Sequence, residues 1–183
     1  MKKMRVPYAL AVHDDKEIRA VVEVIKNHET ISGKNVKNFE NSVARIFGKK
    51  YGIMVNSGSS ANLLAVELLQ LPKGSEVITP IVTFTTTVAP LVQKGLKPVF
   101  VDAIMGSYLL NIDQVESVIT KKTKAIMVPL LLGNVPDMER LKNIASKHNL
   151  YFIEDSCDTI GATFKGKSTG YYSGWGSAAK KIT

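Results

Sequence analysis

The chain has 183 residues, the size of one domain at roughly 100–200 residues each, with 45% apolar and 22% charged residues. That composition excludes wholesale disorder, a collagen-like repeat and a disulfide-stapled miniprotein. Twenty-four Lys and Arg against 16 Asp and Glu leave a net charge of +8. The basic residues fall in scattered pairs such as Lys2-Lys3 and Lys121-Lys122, without interleaved aromatics, so nucleic acid is not expected as a partner. No apolar run approaches a membrane span, and the basic start of the chain does not read as a signal peptide. The single cysteine, Cys157, cannot form an internal disulfide, which points to a reducing, cytoplasmic setting.

In chain order, residues 14–28 carry Ile18, Val21, Val22 and Ile25 at helical spacing, and residues 36–47 repeat the pattern with Val36, Phe39, Val43, Ala44 and Phe47. Residues 30–33 between them read as a loop. The pattern then changes to short apolar strands alternating with helices. Strands are expected at 51–55, 76–79, 98–102, 124–130 and 151–154, and helices at 57–71, 85–94, 112–119 and 138–148. That alternation means an α/β fold with a mostly parallel sheet flanked by helices. In such sheets ligands sit at the carboxyl ends of the strands.

Two strand ends carry candidate chemistry. After 51–55 comes Asn56-Ser57-Gly58-Ser59-Ser60-Ala61-Asn62, leading into a helix. Unpaired amides, a positive dipole end, a glycine and hydroxyls together make a phosphate cup, although the same residues would serve as a plain helix cap. The loop is neither GxGxxG nor a Walker sequence, so neither a dinucleotide nor a triphosphate is indicated. After 151–154 comes Asp155-Ser156-Cys157-Asp158, which places Asp155 at the sheet's carboxyl edge, able to pair with a cationic ring nitrogen or simply to cap a helix. Phe84 can stack on a planar ring or pack as core. His13, His28 and His148 show no metal-ligand spacing, so no metal site is expected. Lys180 and Lys181 near the end suit a Schiff base only in a pocket of low dielectric; otherwise such a pair is solvated.

The order NSGSSAN, TPIVTFTTTVAPLVQKGLKPVFVD, LLGNVPDMERL, HNLYFIEDSCDTIGATFKGKSTG resembles the DegT/StrS family of pyridoxal-phosphate-dependent sugar aminotransferases of fold type I, over about residues 13–170. The resemblance implies the large, cofactor-binding domain of that fold, of which residues 1–183 would be the N-terminal part, with the C-terminal small domain absent. It implies pyridoxal 5'-phosphate as cofactor, Gly58, Ser59 and Ser60 at its phosphate, Phe84 stacked on its ring, Asp155 on its ring nitrogen and Asp158 near its ring oxygen. It aligns Lys180 with the Schiff-base lysine, with Lys181 as the fallback.

Two departures qualify the resemblance. EDSCD and NSGSSANLLA are similar to a pyridoxamine-dependent sugar 3-dehydratase branch, in which histidine replaces that lysine. The stretch between Gly170 and Lys180 is also several residues shorter than in the family, and Ser177 stands too close to Lys180 to be the phosphate-binding serine. Lys180 therefore follows a deletion, lies in a misread stretch of sequence, or matches by accident. The implied activity is transfer of an amino group, from a donor such as glutamate, to a nucleotide-linked keto sugar for polysaccharide, lipopolysaccharide or antibiotic synthesis. The alternatives are a sugar dehydratase of the same fold and an inactive truncated remnant. A complete enzyme would be a homodimer, and this chain alone is expected to be inactive.

Overall fold

Alternating burial and well-formed helix caps account for most of the architecture in a computed structural model of the chain, which describes residues 11–173 and 175–176. The chain divides into two compact units, residues 1–37 and 38–183. In the first, helix α1 (Asp15–Lys26) opens with a capping box. The Asp14 side chain accepts from the Lys16 amide at 2.7 Å, and the Glu17 carboxylate accepts from the Asp14 amide at 2.8 Å, satisfying donors that a helix start leaves unpaired. A left-handed His28, φ 57°, follows its C-terminus, and α2 (Lys34–Ile46) begins after a short loop.

The second unit is built on a five-stranded parallel sheet in the order β2-β1-β3-β4-β7. Its strands are β1 (Glu76–Pro80), β2 (Lys97–Val101), β3 (Thr123–Pro129), β4 (Tyr151–Asp155) and β7 (Trp175–Gly176). The two-residue strands β5 (Thr163–Phe164) and β6 (Lys167–Ser168) form a separate antiparallel hairpin. Helices α3 (Gly58–Glu67), α4 (Thr85–Gln93), α5 (Ile112–Val115) and α6 (Met138–Lys147) complete the unit.

Side chains on a strand alternate between the two faces, and both faces are covered. Ile78, Ile126, Val128 and Phe152 join Val115 of α5 and Leu141 and Ile144 of α6 in one core. Val77, Ala125, Met127 and Ile153 join Ala65 and Val66 of α3 and Leu91 of α4 in the other. This parity places the functional residues. Asp155 shares the α3–α4 face with Ile153, whereas Glu154 shares the α5–α6 face with Phe152. Proline sits where a parallel sheet tolerates it, at the last residues of β1 and β3 (Pro80, Pro129) and on the outer strand β2 (Pro98).

Four expected strands form, but residues 51–55 do not. Tyr51 makes an isolated bridge and residues 52–55 take no regular structure. Tyr51, Ile53 and Met54 are exposed. Instead of joining the sheet, the segment lies on α2. The Met54 amide donates to Glu40 Oε1 at 3.0 Å, and Gly52 approaches α2 so closely that a Cβ would stand 2.5 Å from the Glu40 carbonyl oxygen. The short β7 lies beside β4, a strand that composition and periodicity did not announce. The helix expected over 57–71 ends at Glu67, with Gln70 turned to φ 48°.

Gly170 gives the fold a sharp test. A Cβ there would stand 2.5 Å from the Phe47 carbonyl oxygen and 2.8 Å from Phe47 Cβ, and neither backbone nor a buried Cβ can swing aside. Gly170→Ala is expected to destabilise the protein by about 1–3 kcal/mol, the usual cost of overpacking, read as a lower urea midpoint with an unchanged m-value.

Candidate active site

The phosphate-cup sequence folds as a helix start. Ser57 is the N-cap of α3, its hydroxyl accepting from the Ser60 amide at 3.2 Å, and Ser60 Oγ donates to Asn56 Oδ1 at 2.6 Å. The Ser57 carbonyl takes the Ala61 amide. The amides of Gly58 and Ser59 are left at the helix mouth, where the macrodipole favours an anion. Gly58 lies close to Cys157: a Cβ at residue 58 would stand 2.5 Å from Cys157 Sγ. The mouth of α3 therefore packs directly on the loop that follows β4.

Asp155 ends β4 with 7% of its surface exposed. Its Oδ2 accepts two hydrogen bonds, from Asn62 Nδ2 of α3 at 2.8 Å and from Thr87 Oγ1 of α4 at 2.9 Å. The Cys157 amide reaches Oδ1 at 3.4 Å. Asn62 and Thr87 were not singled out from sequence. The available signal was a polar residue on an inward-facing helical position, with Asn62 closing the NSGSSAN run.

Phe84 is the N-cap residue of α4 and is 67% exposed, so it is not a core residue. Its carbonyl accepts the Thr87 amide at 2.9 Å, which places it one turn from a ligand of Asp155. Asp158 is exposed and accepts the Leu132 amide at 3.1 Å, bracing the left-handed Leu132, φ 55°, in the loop after β3. The structure thus gathers Gly58, Asp155 and Asp158 at neighbouring ends of α3 and β4, with Phe84 reached through Thr87. Ser59 is exposed at the helix mouth. Lys180 and Lys181 lie outside the described residues, and no metal-binding cluster occurs among the described residues.

These residues fit pyridoxal phosphate. A helix mouth with amides and hydroxyls suits its phosphate, and an exposed aromatic suits the face of its ring. A buried carboxylate held by donors suits a protonated ring nitrogen.

On the opposite face, Glu154 is buried and accepts the Ser173 amide at 3.0 Å, while Lys49 Nζ donates to the Ser173 carbonyl at 2.6 Å. Burial pushes the Glu154 carboxyl up to about 7 from its ordinary 4.5, against the opposing pull of Ser173 and Lys49.

The sequence profile described as the DegT/DnrJ/EryC1/StrS aminotransferase family matches residues 12–179. Over 170 residues the chain is 42% identical to the dTDP-4-dehydro-2,6-dideoxy-D-glucose 3-dehydratase of Saccharopolyspora spinosa, covering 88% of this chain and 37% of that protein. It is 35% identical over 140 residues to the GDP-perosamine synthase of Escherichia coli O157:H7, covering 76% of this chain and 38% of the synthase. The solved E. coli GDP-4-keto-6-deoxy-D-mannose-3-dehydratase with bound hydrated PLP matches with a TM-score of 0.84 at 37% identity, over 89% of this chain and 43% of that one. The chain therefore spans less than half the length of each of these proteins. Among the described residues no helix is long and apolar enough to cross a membrane.

Glu154 makes stability depend on pH. Its folded pKa lies above its unfolded value, so the native state keeps a proton that the unfolded chain gives up. The resulting stabilisation is complete below about pH 4.5 and is lost as pH rises towards 7. It amounts to about 3 kcal/mol at 1.36 kcal/mol per pKa unit. Thermal melts across that window should show the decline in the wild type, and Glu154→Gln, which cannot titrate, should lack it.

Proposed function

This chain belongs to the DegT/DnrJ/EryC1/StrS aminotransferase family, and from that membership we propose that it serves pyridoxal-phosphate-dependent removal of the 3-hydroxyl from a nucleotide-linked 4-keto sugar. In this proposal the hydroxyl leaves as water, and an amino donor such as glutamate supplies the two electrons as it becomes 2-oxoglutarate and ammonia. The observation that carries this reading is the kind of relative at each identity: the proteins at 42% and 37% are sugar 3-dehydratases, and the perosamine synthase stands at 35%. The family is pyridoxal-phosphate-dependent, and when bound the cofactor would supply a cationic ring that serves as an electron sink.

The chain's own residues take the following roles in the proposal. The mouth of α3, with Gly58, Ser59 and Ser60, holds the phosphate. Phe84 covers a ring face and shields it from water. Asp155 keeps the ring nitrogen protonated, because a carboxylate beside a pyridinium favours its charged form. Asp158 stands near the ring oxygen while bracing the loop after β3. Residues 1–183 form the N-terminal part of the cofactor-binding domain, and the complete enzyme is a homodimer.

Amino transfer is the second reading, favoured by Lys180 in the sequence and by the perosamine synthase relative. There Lys180 moves protons at the reacting carbon, and glutamate is the donor.

The test is a product assay with pyridoxal phosphate, L-glutamate and GDP-4-keto-6-deoxy-D-mannose, analysed by mass spectrometry and NMR. The product of the complete reading frame is expected to release a sugar that lacks the 3-hydroxyl and carries no nitrogen. A sugar that keeps that hydroxyl and gains an amine would instead establish transfer, with Lys180→Ala abolishing it. The 183-residue chain by itself is expected to form neither.

A further inference from the structure

We infer that Asn62 and Thr87 are positioning residues that hold the Asp155 side chain in one orientation for the cofactor's ring nitrogen; this rests on the reading of Asp155 given above. Asn62 is 1% exposed and Thr87 is fully buried, so water does not compete for their hydrogen bonds. Both donate to the same oxygen, Oδ2, at 2.8 and 2.9 Å. Two donors on one oxygen fix the rotation of the carboxylate.

The Asn62 amide has one workable orientation. Its NH2 faces two acceptors, Asp155 Oδ2 and the Thr86 carbonyl oxygen at 3.2 Å; turned over, it would set oxygen against oxygen. The Thr86 carbonyl is within its reach because Pro90, four residues further along α4, has no N–H to give it. In that orientation Asn62 Oδ1 is buried and makes no hydrogen bond among the described residues. An orphaned buried acceptor is a standing cost, and a residue kept only for packing would not carry it. Asn62 therefore touches β4 and the first turn of α4 from α3. Those three elements carry Asp155, Phe84 and the phosphate cup, and one side chain sets the spacing among them.

The experiment compares the wild-type product of the complete reading frame with Asn62→Leu, Thr87→Val, Thr87→Ser and Asp155→Asn. Each is titrated with pyridoxal phosphate, followed by absorbance for affinity and by the 15N shift of labelled cofactor for ring protonation. Asn62→Leu and Thr87→Val are expected to weaken binding at least about tenfold, the scale of one lost hydrogen bond to a charge. Both should also move the ring nitrogen towards its neutral shift, as Asp155→Asn does. Thr87→Ser, which keeps the hydroxyl, should restore affinity and protonation alike, a rescue that loss of packing would not give. Thermal melts identify any variant that does not fold; if Asn62→Leu is one, the Val and Ser pair at residue 87 decides.

Wild-type affinity and a protonated ring in folded Asn62→Leu and Thr87→Val would overturn this inference and leave the role of Asp155 standing. Failure of the wild type to bind the cofactor, or a ring nitrogen indifferent to Asp155→Asn, would overturn the functional reading and this inference with it.

Discussion

A carboxylate at the end of a buried strand must be given donors, and the site is organised around how Asp155 receives them. The period of two along β4 turns Asp155 onto the face covered by α3 and α4, where water reaches little of it. Asn62 and Thr87 supply its hydrogen bonds from those two helices. Removing either would leave a charged, buried group short of a donor, a heavier loss than that of an ordinary exposed hydrogen bond. Helices α3 and α4, whose starts carry Gly58 and Phe84, are thus tied to one oxygen atom.

The neighbouring Glu154 meets the opposite solution to burial. It faces the α5–α6 side, where its contacts are the Ser173 amide and the field of Lys49, and its proton is retained up to about pH 7. Adjacent acids on one strand thus live in different electrostatic settings because the sheet turns them to different faces. The proposed chemistry needs Asp155 ionised, whereas burial keeps the Glu154 carboxyl protonated until the pH approaches about 7.

Much of this was legible in the sequence. The alternation of short apolar runs with amphipathic segments marked four of the five sheet strands and the helices α3 to α6, and the motif order pointed to the family. The site residues Gly58, Asp155 and Asp158 do gather, since strand ends and helix starts are local features that a motif records. What escaped has a physical reason in each case. Residues 51–55 look like a strand because they form a short apolar run, but a strand needs a paired edge, and Gly52 and Met54 find α2 instead. The β7 pairing depends on a contact distant in sequence. Asn62 and Thr87 carry no spacing signal, because their partner lies 93 and 68 residues away.

Pro90 shows how this arrangement would constrain any effort to make the protein more heat-resistant. By helix propensity alone, a proline inside α4 is worth replacing, since alanine is favoured there by about 3 kcal/mol. The replacement would restore an amide aimed at the Thr86 carbonyl, which Asn62 now takes. A residue chosen to tighten the helix would then compete with Asn62 for that carbonyl, so, on the roles proposed above, a gain in melting temperature would come with a looser hold on the cofactor. Stabilising changes are better sought away from α4, on surfaces that share no hydrogen bond with Asp155.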